Sequence, residues 1–405
     1  MVGVCFYFQV HQPWRMRHYS VFDIGKRSDY FDEEKNREIA NKVAQKCYLP
    51  MNQVIFDLIQ KHKGAFKVAF SITGTALEQF QQYCPEVLES FKRLAATGQV
   101  EFLAETYYHS LSALKSKEEF KGQVKKHGAA MKKLFGSAPK VFRNTELIYN
   151  NEIAKMVEEL GYKAILAEGA DRVLGWKSPN FVYKPATCEK IKLLLKNYKL
   201  SDDIAFRFSN KGWEEHPLTT EKYVDWINST NGCGDIINLF MDYETFGEHQ
   251  WEDTGIFEFM RALPERILAH PDNKFLTPSE AAEHDVRDTL DIHHPVSWAD
   301  VERDLSAWLG NKIQHDAITE LYASEQLVKD SKDAAVLEDW RKLTTSDHFY
   351  YMCTKWFEDG DVHKYFNPYD SPYDSFITFM NILKDIQIRC RDKMMPIKAQ
   401  VPVTS

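Results

Sequence analysis

Seven short apolar runs, each followed by a segment of helical spacing, limit what this chain can fold into more than any other feature. They fall at 4–10, 66–71, 100–104, 141–143, 163–167, 191–195 and 236–241. Between runs, apolar residues recur at helical intervals, as at Ile153, Met156, Val157 and Leu160, and Gly161 then closes that helix before the next run. Gly64 and Gly98 punctuate earlier helices expected over 33–63 and around 87–94, and another is expected over 117–134. Apolar strands alternating with helices imply an α/β fold whose parallel sheet is buried beneath helices, either open or closed into a barrel.

With 405 residues and 44% hydrophobic content, the chain can bury a large core and carry an appendage besides. The 51 basic and 59 acidic residues give a net charge of −8 with no long Lys or Arg run, which argues against a nucleic-acid partner. Seven cysteines stand scattered and never in a CxxC spacing, so a disulfide framework or a zinc ribbon is not indicated and a reducing cytoplasm is expected. The first residues read as a strand and not as a secretory leader, and no apolar run reaches the roughly 20 residues of a membrane span, so no membrane partner is expected. From about Ser297 the pattern turns to successive helices: Ser297-Trp298-Ala299-Asp300 reads as a capping box, as does Thr277-Pro278-Ser279-Glu280 before it. The tail after Met395, with Pro396 and Pro402, reads as frayed.

Ligands of such folds sit at the carboxyl ends of the strands. His11, Glu105, His109, Glu146 and Asp242 all lie just past expected strand ends and are therefore read as one site. Asp242 opens the run Asp242-Tyr243-Glu244-Thr245-Phe246-Gly247-Glu248-His249, and Glu146 follows Arg143-Asn144-Thr145. Two carboxylates placed this way suit acetal cleavage, which needs one carboxylic acid to protonate the leaving oxygen and one carboxylate facing the anomeric carbon. An aromatic content of 13% with 9 Trp suits sugar stacking, although core packing accounts for many of these residues equally well.

His11-Gln12-Pro13, the run from Gly98 to His109, Arg143-Asn144-Thr145-Glu146 and Asp242 to Gly247 together resemble glycoside hydrolase family 57, in order and in spacing. The resemblance implies a (β/α)7 barrel, activity on α-1,4-glucans or maltooligosaccharides, retention of configuration, no metal or cofactor, and a helical C-terminal region that contributes to the site. The expected division is a barrel catalytic domain over 1–290 and a helical domain over 291–405. By position, Glu146 would be the nucleophile and Asp242 the general acid/base, with carboxyl groups about 5 to 5.5 Å apart. Phe240, Tyr243 and Phe246 are expected to surround Asp242, and Arg143 to favour the charged form of Glu146 if it turns into the site. His11, Gln12, Glu105, His109, Arg143, Glu244 and Trp298 are the expected substrate-binding residues. His11 could instead be a packed core imidazole, Glu105 and His109 structural hydrogen-bond partners, and Trp298 packing. Glu244 and His249 either orient Asp242 or face solvent. One departure is Gln9, which stands where many family members have a His.

Other functions have weaker support in the residues. A metal-dependent deacetylase would need a His-x-Asp at the first strand or a His-x3-His on a helix, and His293-His294 is adjacent, so the two rings would point apart. A glucan-binding protein without chemistry would have no need of both carboxylates. A 4-α-glucanotransferase or branching enzyme would share the covalent intermediate and stays open, as does the oligomeric state.

Overall fold

The computed structural model describes residues 2–355 and 367–394; the tail expected to fray lies outside them. Its strands are β1 (Val2–Val10), β2 (Val68–Ile72), β3 (Val100–Phe102), β4 (Val141–Arg143), β5 (Ala164–Glu168), β6 (Val182–Pro185), β7 (Lys192–Lys196), β8 (Ile236–Asp242), β9 (Asn273–Phe275) and β10 (Val286–Leu290). All seven strands expected from the sequence form, as β1 to β5, β7 and β8.

Two hydrogen-bonded sheets, β3-β2-β1-β8 and β10-β6-β7-β5-β4, join into a closed barrel. Ala104, just past β3, continues the ladder onto β4: its amide donates to Val141 O at 2.9 Å and its carbonyl accepts from Arg143 N at 2.8 Å. The second junction, between β7 and β8, is thinner. There Asn197 N donates to Asn238 O at 2.9 Å, and the Asn238 side chain donates to Leu195 O at 2.9 Å. Among the described residues the barrel therefore has seven parallel strands, in the order β1-β2-β3-β4-β5-β7-β8. The sequence reading did not anticipate β6, β9 and β10. β6 runs antiparallel beside the start of β7, β10 extends β6, and β9 pairs with the first residues of β1.

Strand parity fixes what fills the barrel. On β1, Phe6, Phe8 and Val10 point outward beneath helices, with Ile237, Leu239 and Met241 of β8 in the same apolar cluster. Cys5, Tyr7, Ala69, Leu103, Val141, Leu166, Leu194 and Phe240 point inward and fill the barrel itself. The next inward position on each barrel strand, two residues on, is polar: Gln9, Ser71, Glu105, Arg143, Glu168, Lys196 and Asp242. The apolar plug thus ends in a polar tier at the carboxyl end of the barrel.

Local signals account for most of the outer helices. The helix expected over 117–134 forms as Lys117–Phe135, capped by Ser116 and ended by Gly136 in the left-handed region. The helix expected over 33–63 is interrupted, since Glu33–Val43 passes through a π-helical stretch, Ala44–Tyr48, before Leu49–Lys61. Inserted π-turns re-aim side chains, and here Cys47 and Tyr48 reach the loop after β8, with the Cys47 thiol donating to Tyr243 O at 3.1 Å. The capping box at Thr277 forms as expected, whereas the one at Ser297 does not. Asp300 and Arg303 take positive φ of 54° and 52°, and the next helix, Ser306–Leu309, starts later. Tertiary hydrogen bonds from Trp298 and Arg303, described below, override the local cap signal. Further helices follow at Lys312–Ala323, Glu325–Asp330, Ala334–Leu343, Ser346–Tyr350 and Pro372–Met394.

Gly247 is the residue that lets the loop after β8 lie against the π-turn. Its φ is +106°, and a Cβ there would come within 2.0 Å of Lys46 O. Gly247→Ala is expected to destabilise the protein by about 2 kcal/mol or more, from left-handed strain plus displaced backbone. Chemical denaturation of the variant checks this, and wild-type stability would show that the loop does not depend on the close approach.

Candidate active site

The structure gathers the expected site residues around one cavity. Gln9, His11, Gln12, His109, Glu146, Asp242, Glu244, His249 and Trp298 all line it. Glu105 and Arg143 are fully buried just outside this lining. Glu105 accepts from Gln9 Nε2 at 3.1 Å, from the Ser71 hydroxyl and from His109 Nδ1 at 3.0 Å. Gln9, in place of the usual His, thus bridges Tyr7 and Glu105, accepting from Tyr7 OH at 2.7 Å.

His109 stands between two carboxylates, with Nε2 3.3 Å from Glu146 Oε1. Burial alone would lower its pKa, but hydrogen bonds to Glu105 and Glu146 and their charges override that and push it up to about 9. Glu105 shows the converse: burial would raise its pKa, yet His109 and then Arg143 hold it down at about 2. The two form an ion pair near neutral pH. His109 and Glu146 both sit in the left-handed region, at φ 51° and 56°. Non-glycine residues there cost of order 1–3 kcal/mol each, and such strain collects at functional sites.

Glu146 is met from three directions. His109 approaches Oε1, Ser346 Oγ donates to Oε1 at 3.0 Å, and Trp298 Nε1 donates to Oε2 at 2.7 Å. The Trp298 amide also donates to Glu146 O at 3.1 Å. Trp298 is therefore tied to the carboxylate by its edge, and its ring lies against Arg143 at 4.7 Å and Lys196 at 5.5 Å. Arg143 stands beside Glu105. Its guanidinium lies 4.0 Å from Glu105, and among the described residues no acceptor hydrogen-bonds its nitrogens. Burying a cation this way costs several kcal/mol, against about 0.8 kcal/mol gained per methylene, so fold stability alone does not explain its presence.

Asp242 ends β8 and lines the cavity, but the aromatic envelope expected for it is not there. Tyr243 packs outward against Phe8 and Phe70, Phe246 packs on Phe8, and Phe240 lies one tier lower beside Tyr7. Parity is the reason, because Tyr243 leaves the barrel on the face opposite Asp242. Glu244 is the nearer influence. Burial, and then the charge of Asp242, push its pKa up to about 8. It is not solvent-facing, and it accepts a hydrogen bond from Tyr48 OH, which in turn accepts from Gln12 Nε2 at 3.0 Å.

Several residues at the site were not singled out in the sequence. Ser346 and Asp347 come from the C-terminal helices: Ser346 N donates to His109 O at 2.9 Å, and Asp347 lies 2.9 Å from His11 Nε2. His11 also meets Thr73 Oγ1 at 3.0 Å and stacks on His109 at 4.0 Å, so both ring nitrogens are engaged within the protein. Burial, then the neighbouring His109 charge, lower its pKa. Glu168 and Lys196, the inward residues ending β5 and β7, form a second charged group with Asp202 and Arg303. Lys196 Nζ is 2.9 Å from Asp202, Arg303 is 3.0 Å from Asp202, and Arg303 donates to Trp298 O at 2.7 Å. The parity rule points to Glu168 and Lys196, whereas nothing local marks Ser346 or Asp347. Among the described residues no group of three or more His, Cys, Asp or Glu is arranged to hold a metal ion.

The cavity measures about 60 Å³ and continues past Asp242, His249 and Trp298 into a compartment of about 80 Å³, also lined by Lys196, Asp202 and Arg303. That compartment shares Asp202, Phe206, His249 and Arg303 with an outer groove of about 810 Å³.

Comparison with known proteins places this geometry. A protein of Methanocaldococcus jannaschii that carries the provisional name of an alpha-amylase is 44% identical over 401 residues, spanning 95% of this chain and 84% of that protein. Among solved structures, the 4-alpha-glucanotransferase of Thermococcus litoralis aligns with a TM-score of 0.66 at 15% identity, covering 86% of this chain. This chain spans only 56% of that enzyme's length. A branching enzyme of Pyrococcus horikoshii aligns with a TM-score of 0.65 at 15% identity, covering 90% of this chain and 88% of its own. At these identities the two structures speak to the fold, a barrel with strands and helices in this order. The profile described as glycosyl hydrolase family 57 matches residues 5–293, and with that match and the archaeal relative the chain belongs to this family of glycoside hydrolases.

Proposed function

We propose that this protein is a retaining glycoside hydrolase of α-1,4-glucans, with Glu146 as nucleophile and Asp242 as general acid/base. The observation that carries this reading is the set of three groups, His109, Ser346 and Trp298, around the Glu146 carboxylate. A carboxylate held this way keeps one orientation toward the cavity and has its charge compensated before substrate binds, as attack on an anomeric carbon requires. Asp242 stands where the inner cavity meets the next compartment, at the place where a leaving oxygen would need its proton. The substrate class rests on the family and on the name carried by the archaeal relative. Transfer to a sugar hydroxyl is the second reading, favoured by the roomy groove beyond Asp242, which could hold an acceptor chain.

Glu146→Gln is expected to lower turnover of maltoheptaose by roughly a thousandfold or more while leaving folding intact. Asp242→Asn should slow natural glucans far more than an aryl glucoside whose leaving group needs no proton. Proton NMR of early products should show the α anomer first. Near-normal turnover by Glu146→Gln, or a β product, would overturn the assignment.

The charge state of the His109 pair predicts a pH dependence. His109, raised from an ordinary 6.5 to about 9, contributes its full stability below pH 6.5 and loses it as pH rises through 9. Glu105, lowered from 4.5 to about 2, contributes fully above pH 4.5 and loses it as pH falls through 2. Glu244, raised from 4.5 to about 8, makes stability fall as pH rises from 4.5 and is completing its titration from pH 8 to 9, where His109 is passing through its own midpoint. Urea denaturation should therefore show a fall in stability from pH 8 to 9 that is shallower in His109→Gln, the remainder coming from Glu244 and from buried cysteines such as Cys5 and Cys47, whose thiols burial holds above their ordinary range. An unchanged slope in the variant would mean that His109 is already neutral there.

A further inference from the structure

Among the described residues, the cavity that holds Glu146 is closed on one side. Its far wall is made by Gln12, Arg15, Asp347 and Tyr351, each 5% exposed or less. Apart from His11, the partly exposed residues lining it are Asp242, His249 and Trp298, the same three that lead into the next compartment. At about 60 Å³ it is far smaller than the outer groove of about 810 Å³, so the two are unlike in what they can hold. Glu146 lines this cavity only, while Asp242 also lines the compartment beyond.

This asymmetry orients a chain. The nucleophile must face the unit whose anomeric carbon reacts, and the acid must face the oxygen leading to the next unit. The unit at Glu146 is therefore on the non-reducing side, and the rest of the chain runs past Asp242 into the groove of about 810 Å³. That groove combines the half-exposed ring of Phe206 with Tyr198, Asn210, Arg172 and Arg207, an aromatic face among planar polar groups that suits hydroxylated rings. The blind end presents the Asp347 carboxylate and the Arg15 guanidinium to terminal hydroxyl groups, where a longer chain would have to continue.

Building on the proposed function, we infer that this enzyme is exo-acting: it takes one glucosyl unit at a time from the non-reducing end, while the remaining chain lies in the groove beside Phe206. In the step itself a Glu146 oxygen bonds to the anomeric carbon as the bond to the next unit breaks, and the departing oxygen takes the proton of Asp242. Water or a sugar hydroxyl then displaces Glu146 and returns a proton to Asp242.

The test uses maltoheptaose tagged at its reducing end, free or capped with an ethylidene acetal at its non-reducing end. The tagged hexaose should be the first product from the free chain, joined by a tagged octaose if units are transferred, and the capped chain should stay intact. Tagged di- to tetrasaccharides in the earliest turnovers, or cleavage of the capped chain, would overturn the inference while leaving the glucan reading in place. No reaction on either chain, with wild type and Glu146→Gln alike, would remove both. Phe206→Ala should raise KM for maltoheptaose roughly three- to tenfold. An unchanged KM would show that the chain does not lie beside this ring.

Discussion

Strand parity is the constraint on which the rest of this structure depends. A closed barrel of parallel strands turns alternate side chains inward, so each strand offers one inward position per tier. Here the lower tiers are apolar, with Tyr7 and Phe240 edge to face at 5.4 Å, and the last tier is Gln9, Ser71, Glu105, Arg143, Glu168, Lys196 and Asp242. Sharing one level within a narrow ring, these residues must be satisfied by one another. The charges accordingly alternate around the ring, Glu105 beside Arg143 and Glu168 beside Lys196 at 3.7 Å. Uncompensated, each would cost several kcal/mol in such surroundings.

The cavity is built partly on this tier and partly within it, since Asp242 belongs to the ring while His109 and Glu146 stand above it. His109 and Glu146 lie three or four residues beyond their ring residues, on backbone bent into the left-handed region, and Glu105 anchors His109 from below. The C-terminal helices close the site from above: Thr345 donates to Tyr108 O at 2.8 Å, and the next two residues reach Glu146 and His11. The segment 297–303 closes the side, pinned by Arg303 to Asp202 and by Trp298 to Glu146. A carboxylate enclosed in this way exchanges mobile water for fixed donors, the condition under which electrostatic stabilisation is strongest.

Much of this could be read from the residues because strands and helices leave periodic marks. The seven barrel strands, the helix over 117–134 and the Thr277 cap all follow from spacing and local chemistry. The grouping of His11, Glu146 and Asp242 follows from strand ends alone. What escaped depends on long-range contact. Trp298 sits in a segment whose local pattern reads as a helix start, and its bonds to Glu146 together with those of Arg303 to Asp202 and Trp298 explain why that helix does not form. Ser346 and Asp347 are ordinary residues at the start of a short helix, more than 190 positions from their partners. Arg143 shows a subtler limit, since its place at a strand end could be read but its neighbour, Glu105, depends on the adjoining strand.

The two junctions of the barrel are unequal. Between β3 and β4 the backbone ladder continues through Ala104, whereas between β7 and β8 a single backbone hydrogen bond and the side chain of Asn238 span the gap, because β6 already occupies the start of β7. A cylinder closed along one edge by a side chain has a preferred line of opening, and backbone amides along that line are the ones least shielded from exchange with solvent. Lys196 flanks this line on one side and Asp242 on the other. A shift along the seam would change the distance between the strand that carries Asp242 and the strand whose Lys196 lies against the ring of Trp298, and with it the width of the compartment that all three line.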